Sequence, residues 1–309
     1  MTGRTADETT FDELATEARD QSAADLDLQS TIELVRRMNA EDAGVPAAVA
    51  RAESAIAAAV DAIAERLAAG GRLVYVGAGT SGRLALVDAA ECESTFAVPP
   101  GRVVALIAGG PEAAATAQEE AEDDPVEGAA AVRDLGVGPA DAVVALSASG
   151  RTPYVLRALE EARAAGATTV AIVSVEGSEL GTVAQHEIVV LVGPELIAGS
   201  TRLKAATAQK LILNGLSTAA MIALGHTYSN LMVDLAPTNT KLRGRVLTIL
   251  TEATGLPEDT CATALAEADG ELKTALVCLL GAVTPDDARR ALAAADGQVR
   301  AALAASART

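Results

Sequence analysis

Two short stretches of this chain of 309 residues gather the residue types that hold an anion. The first is Gly77-Ala78-Gly79-Thr80-Ser81-Gly82-Arg83, which follows the apolar run Leu73-Val74-Tyr75-Val76 and opens a helical pattern. The second is Ser147-Ala148-Ser149-Gly150-Arg151-Thr152, which ends a further apolar run and leads into a helix at Pro153. In such a strand–turn–helix unit the first N–H groups of the helix have no intrahelical acceptor, and the helix dipole favours negative charge there. The hydroxyls of Thr80, Ser81, Ser147, Ser149 and Thr152 add donors, with Ala148 in the same loop, and Gly79 and Gly150 let the backbone come close to the anion. Gly77-x-Gly79-x-x-Gly82 also fits a dinucleotide fingerprint. That reading needs an acidic residue at the end of the next strand to hold a ribose, and this strand ends Ile107-Ala108-Gly109-Gly110. Two hydroxyl-rich helix starts without a Walker lysine point to a sugar phosphate monoester. For either turn alone, a purely structural role is the alternative.

The helix that opens at the first turn runs into Glu91-Cys92-Glu93-Ser94-Thr95, so a carboxylate beside a Pro-containing loop is a candidate acid or base. Glu122 lies in the acidic run Glu119-Glu120-Ala121-Glu122-Asp123-Asp124. By residue type alone, both glutamates read as solvated surface groups. Arg83 and Arg151 follow the two loops and are candidate cations, and Arg202 and Lys204 open a later helix. His186 and His226 lack ligand spacing and read as structural, while Cys92, Cys261 and Cys278 show no metal-type pattern, so no metal site is expected and reduced thiols are the plain reading.

The elements that must position these groups alternate. Strands are expected at 72–76, 102–107, 141–147, 168–174 and 187–192, the first four nearly continuous apolar runs of the kind buried on both faces of a parallel sheet. Helical patterns separate them at 81–91, 111–123, 125–135 and 153–165. The fold class is therefore α/β, an open, doubly wound, mostly parallel sheet with ligands at the carboxyl ends of its strands. An arm with short helical pieces (1–30), a helix at 31–38, a break at 39–44 and one long Ala-rich helix from Val45 to Ala68 precede it. A helix at 201–224, a loop at 231–239 and a helix to about 253 follow. The last stretch repeats itself about 27 residues apart: Leu256-Pro257-Glu258-Asp259 with Asp269-Gly270, then Thr284-Pro285-Asp286-Asp287 with Asp296-Gly297. Pro at a helix start and Asp-Gly at a turn make two short helical hairpins, a packing or dimerisation module without a catalytic constellation. Three regions are expected: 1–45, an N-terminal arm and helix; 46–245, the α/β domain; 246–309, a small helical domain.

Half the residues are hydrophobic and only 2% aromatic, so the core is built from Ala, Val, Leu and Ile. The formal net charge of −18 argues against nucleic acid and against an anionic membrane as partner. It also repels a phosphate, which demands a locally positive site. No apolar run approaches the ~18 residues of a membrane span. The polar, acidic N-terminus is not a signal peptide, and a cytoplasmic location is expected.

The two loops together resemble the sugar isomerase (SIS) domain, whose phosphosugar site uses a GTS-type first turn and an S-x-S-G-x-T second loop. Longer stretches extend the likeness over nearly the whole chain: GAGTSGRLALVDAAECESTFAVPP, IAGG, AEDD, LSASGRTPYV, VGPELIAGSTRLKAATAQKLILNGLSTAAM, NLMVDLAPTNTKLR and the N-terminal LATEARDQSAADLDLQSTIELVRRMNAEDAGVP. They are similar to the N-acetylmuramic acid 6-phosphate etherase family. The resemblance implies a phosphosugar substrate, a homodimer whose site can draw on the neighbouring subunit, a C-terminal region of ubiquitin-associated-like type, and no cofactor. It implies cleavage of the D-lactyl ether at C3 to N-acetylglucosamine 6-phosphate and (R)-lactate. It further implies catalytic glutamates that map to Glu91 and Glu122, and substrate binding by Gly79, Thr80, Ser81, Arg83, Ser147, Ala148, Ser149, Gly150, Thr152 and Lys204. The stretch Cys92-Glu93-Ser94-Thr95 departs from the family, which often has prolines after the cysteine, and Glu93 adds a neighbouring carboxylate. Two other readings share the loops: a phosphosugar-sensing regulator without catalysis, and an aldose–ketose isomerase. Retention of both glutamates and the absence of a preceding DNA-binding helix pair speak for the lyase.

Overall fold

The computed structural model describes residues 16–235 and 240–306. Residues 1–15 of the expected arm, and Ala236, Pro237, Thr238 and Asn239 of the expected loop, lie outside the described residues. The chain divides into two units, one of Met1–Ala89 with Gly101–Ser217, the other of Ala90–Pro100 with Thr218–Thr309.

In the first unit, two single-turn 3-10 pieces precede α1 (Thr31–Asp42), α2 (Val45–Arg51) and α3 (Glu53–Ala68). Ser30 starts α1 with a reciprocal capping box: its side chain accepts from the N–H of Glu33, the third helical residue, and the Glu33 carboxylate accepts from the Ser30 N–H. The single helix expected from Val45 to Ala68 is two, since Ala52 leaves the helical region (φ −94°, ψ 7°) between them. The sheet follows: β1 (Leu73–Gly77), β2 (Val103–Ile107), β3 (Ala142–Leu146), β4 (Thr168–Val173) and β5 (His186–Val189). All pairs are parallel, in the order β2-β1-β3-β4-β5. β1, β3 and β4 are buried throughout, as their unbroken apolar runs require. The connecting helices are α4 (Gly79–Phe96), α5 (Pro125–Asp134), α6 (Pro153–Ala164) and α7 (Glu179–Val183). Val74, Val76, Val143, Ala145, Tyr154 and Leu159 form the centre of one core face.

The helix expected at 111–123 does not form. Two 3-10 turns, Gly110–Ala114 and Glu119–Asp123, stand in its place. Gly109 and Gly110 both take left-handed backbone (φ 81° and 66°), and the crowded carboxylates of 119–124 repel one another along any helix face. Asp124 instead caps α5, accepting from the N–H groups of Val126 and Glu127 ahead of Pro125.

α8 (Lys204–Ala223) closes the list of helices that begin in this unit. The second unit adds β6 (Thr227–Tyr228) and β7 (Leu231–Met232), a small antiparallel pair where only a loop is expected, turned by Ser229 at φ 54°. Five helices complete it: α9 (Thr240–Thr254), α10 (Glu258–Glu267), α11 (Leu272–Gly281), α12 (Pro285–Ala294) and α13 (Val299–Ser306). The repeat is real in the backbone. Asp269 and Asp296 take φ 57° and 50°, and Gly270 and Gly297 take 83° and 78°, so both hairpins turn the same way. Their apolar faces meet on α9 through Val246, Ile249, Leu250, Leu272, Leu276 and Val299. Among the described residues no helix is long and apolar enough to cross a membrane.

Candidate active site

The strand order fixes where a ligand sits. From β1 the chain crosses to β2 on one side, and β3 lies on the other, so the carboxyl ends of β1 and β3 flank the switch point of the sheet. These ends are level, with Gly77 opposite Leu146 in register. The turn that follows β1 is held tight by small residues. A Cβ on Gly77 would fall 2.7 Å from the amide nitrogen of Gly82, and one on Gly82 would fall 2.5 Å from the Ile107 side chain. Gly79, at φ 51°, starts α4 facing open space. The loop after β3 is braced from within. Ser147 Oγ accepts from the Gly150 N–H at 3.0 Å and lies 2.8 Å from Thr152 Oγ1, while Ser149 Oγ lies 3.4 Å from Ser147 Oγ. Gly150 is at φ 66°, and a Cβ there would strike Ser178 at 2.4 Å. Thr152 stands at the start of α6 without capping it through its side chain, so its hydroxyl is left for the loop.

The two loops enclose a cavity of about 260 Å³. Gly79, Thr80, Ser81, Ser147, Ala148, Ser149 and Thr152 line it, as does Glu122. Seven of the residues proposed from sequence for the phosphosugar and one of the two glutamates thus come together. The second 3-10 turn places Glu122 there, where a regular helix was expected. Its carboxyl is pushed above the usual glutamate range, first by desolvation and then by the negative charges of Asp123 and Glu119.

The remaining candidates lie elsewhere. The Arg83 guanidinium donates to the carbonyls of Ala113 and Thr116, fastening the first 3-10 turn. Lys204 is buried, and its ammonium bonds Glu41 at 2.8 Å. Glu195, also buried, accepts from the N–H groups of Lys204 and Ala205 and so caps α8. Arg151 Nε is 3.9 Å from Glu179. Glu91 is exposed on α4 and does not line the cavity. The positive site demanded by the acidic composition is therefore not made from cationic side chains, because none lines the cavity among the described residues. The first N–H groups of α4 and α6 begin at the two loops, where helix dipoles favour negative charge.

Glu17, Gly199 and Thr201 also line the cavity, from outside the two loops. Glu17 comes from the N-terminal arm, and its carboxylate lies so close over Gly199 that a Cβ there would fall 2.7 Å from it. Gly199 and Thr201 come from the loop before α8. Behind the wall, Ser81 Oγ donates to Oε1 of Gln209 on α8 at 2.8 Å. No group of three or more metal-type ligands exists among the described residues.

Residues 55–163 match the glucokinase regulatory protein N-terminal SIS domain, and residues 126–218 match the SIS domain. A protein of Rubrobacter xylanophilus named N-acetylmuramic acid 6-phosphate etherase is 55% identical over 278 residues, covering 90% of this chain and 92% of its own length. One of the same name from Streptomyces avermitilis is 52% identical and covers 96% and 95%. A third, from Brucella anthropi, is 47% identical and covers 91% of each chain. Identity of this order from end to end, on a sheet whose switch point carries the two hydroxyl loops, leaves one assignment: the chain belongs to the N-acetylmuramic acid 6-phosphate etherase family.

Proposed function

We propose that this chain is a carbon–oxygen lyase that cleaves the D-lactyl ether of N-acetylmuramic acid 6-phosphate to N-acetylglucosamine 6-phosphate and (R)-lactate. The observation that carries the reading is the single cavity in which Thr80, Ser81, Ser147, Ser149 and Thr152 meet the carboxyl of Glu122. The hydroxyls and helix starts hold the phosphoryl group. In the open-chain sugar the C1 aldehyde acidifies the C2 proton. One carboxylate removes that proton, the C3–O bond breaks, and lactate leaves with a proton supplied by an acid. Water then adds across the C2–C3 double bond, its hydroxyl to C3 and a proton to C2. Two carboxyl groups suffice for these transfers. The neutral form of Glu122 is favoured by desolvation and by the charges of Asp123 and Glu119, which suits a carboxyl that takes up or gives a proton in the reaction. The phosphosugar-sensing reading lacks any use for a carboxyl so placed.

Glu91 is the second carboxylate of the proposal, and a homodimer supplies it. Its exposure and its absence from the cavity lining favour a partner subunit as its donor. Arg83, Gly150 and Lys204 contribute by holding the surrounding turns in place. Wild type should release lactate from N-acetylmuramic acid 6-phosphate and place solvent deuterium at C2 of the product. Glu122→Gln and Glu91→Gln should each lower kcat by at least about 10³-fold. Mixing the two variants should restore about a quarter of wild-type turnover, since half the reassembled dimers carry one intact site. Lactate release at the wild-type rate from Glu122→Gln would remove it from the chemistry, and no recovery on mixing would remove the shared site.

A further inference from the structure

Gln209 sits on α8 at 2% exposure, and its amide nitrogen has no acceptor among the described residues. Among the described residues the amide's partner is Ser81, whose Oγ is 2.8 Å from Oε1. In that arrangement Ser81 spends its one proton on Gln209 and turns only lone pairs toward the cavity it lines. A phosphoryl group also carries only lone pairs on its outer oxygens, so this orientation sets acceptor against acceptor. It also leaves a buried N–H donor unused, the less tolerated of the two kinds of orphan. Both faults are removed by one change. The oxygen and nitrogen of a glutamine amide exchange places by a half-turn of the terminal torsion, with almost no change of shape. Nε2 then donates to Ser81 Oγ over the same distance, and the Ser81 hydroxyl is free to donate into the cavity.

We propose that Gln209 is a positioning residue for the phosphoryl group, presenting its amide nitrogen to Ser81 so that Ser81 gives its proton to the substrate. The inference rests on the phosphosugar reading of the cavity given above. Gln209 touches Ser81 rather than the ligand. Its part is to decide the direction of one hydrogen bond.

A double-mutant cycle tests this through KM for N-acetylmuramic acid 6-phosphate. Gln209→Met keeps the length of the side chain and removes both polar atoms. It should raise KM about 3- to 10-fold with kcat within about twofold, the effect of one disoriented hydrogen bond to an anion. In a Ser81→Ala background the same substitution should leave KM unchanged. Gln209→Glu, an acceptor only at neutral pH, holds Ser81 in the wrong direction. It should raise KM more than Gln209→Met does, and by a larger factor in the wild-type than in the Ser81→Ala background, which separates the hydrogen bond from plain charge repulsion. Equal factors in both backgrounds, or an unchanged KM in Gln209→Met, would overturn the proposal. The Ser147→Ala, Ser149→Ala double variant distinguishes its failure from that of the underlying reading. If that variant raises KM while the Gln209 cycle is additive, the phosphate site stands and Gln209 falls. If it leaves KM unchanged, the phosphate site itself falls.

Discussion

At the scale of single residues, burial and charge act together on Glu122 in the candidate site. Partial desolvation and the neighbouring Asp123 and Glu119 all stabilise its neutral form, so its titration is displaced upward. A carboxyl serving as base then loses activity at a higher pH on the acid side than an ordinary glutamate would, and one serving as acid stays protonated further toward neutrality. The pH dependence of kcat/KM should therefore show one limb above the ordinary carboxylate range of about 4.3, and Glu122→Gln should abolish that limb. A profile identical in shape for the variant would assign the limb elsewhere. Sequence pattern alone could not have chosen Glu122, because it is one of five acids in six positions. Only the break at Gly109-Gly110 and the 3-10 turn after it single it out.

Among the elements, the sheet was legible and its approaches were not. The apolar runs of β1, β3 and β4 have no polar face, so only a doubly covered sheet accommodates them. The two Gly- and hydroxyl-rich turns named their own helix starts. What escaped was set by contacts distant in sequence. Glu17 reaches the cavity from the arm because it packs over Gly199, and Gln209 matters only through Ser81. No local pattern encodes either. The mouth of the sheet opposite the cavity has a similar hidden brace. Buried Asp141 accepts from the N–H and guanidinium of Arg72 and from the Gly138 N–H, tying the starts of β1 and β3. Burial alone would raise this carboxyl, but its hydrogen bonds to Arg72 and Gly138 bring it below the usual range. Its contribution is thus fully present above the unfolded value near about 3.9 and is lost as pH falls through the lower folded one. Asp141→Asn should cost about 2–4 kcal/mol in denaturant unfolding at pH 7. The gap from wild type should close below about pH 4. A gap that persists undiminished in acid would mean the loss is one of packing.

For the whole molecule, the formal charge of −18 surrounds a site that must admit a phosphate dianion. At low ionic strength that field reaches across the protein, and at about 0.15 M it is screened beyond roughly 8 Å. KM should accordingly fall about 2- to 5-fold between ~10 mM and ~150 mM NaCl. A KM that climbs with the first additions of salt would show that local attraction already outweighs the field. The cavity itself is lined by no lysine or arginine among the described residues, and on the proposed reading its grip on the phosphoryl group comes from helix starts and hydroxyls. A main-chain amide is the same in every residue but proline, and no acylating or arginine-directed reagent removes it. That share of the binding potential is thereby uncoupled from the charged residues of the surface. The surface is free to drift toward acid over generations, while the helix-start share of the anchor is inherited as backbone shape and only its hydroxyl share depends on Thr80, Ser81, Ser147, Ser149 and Thr152.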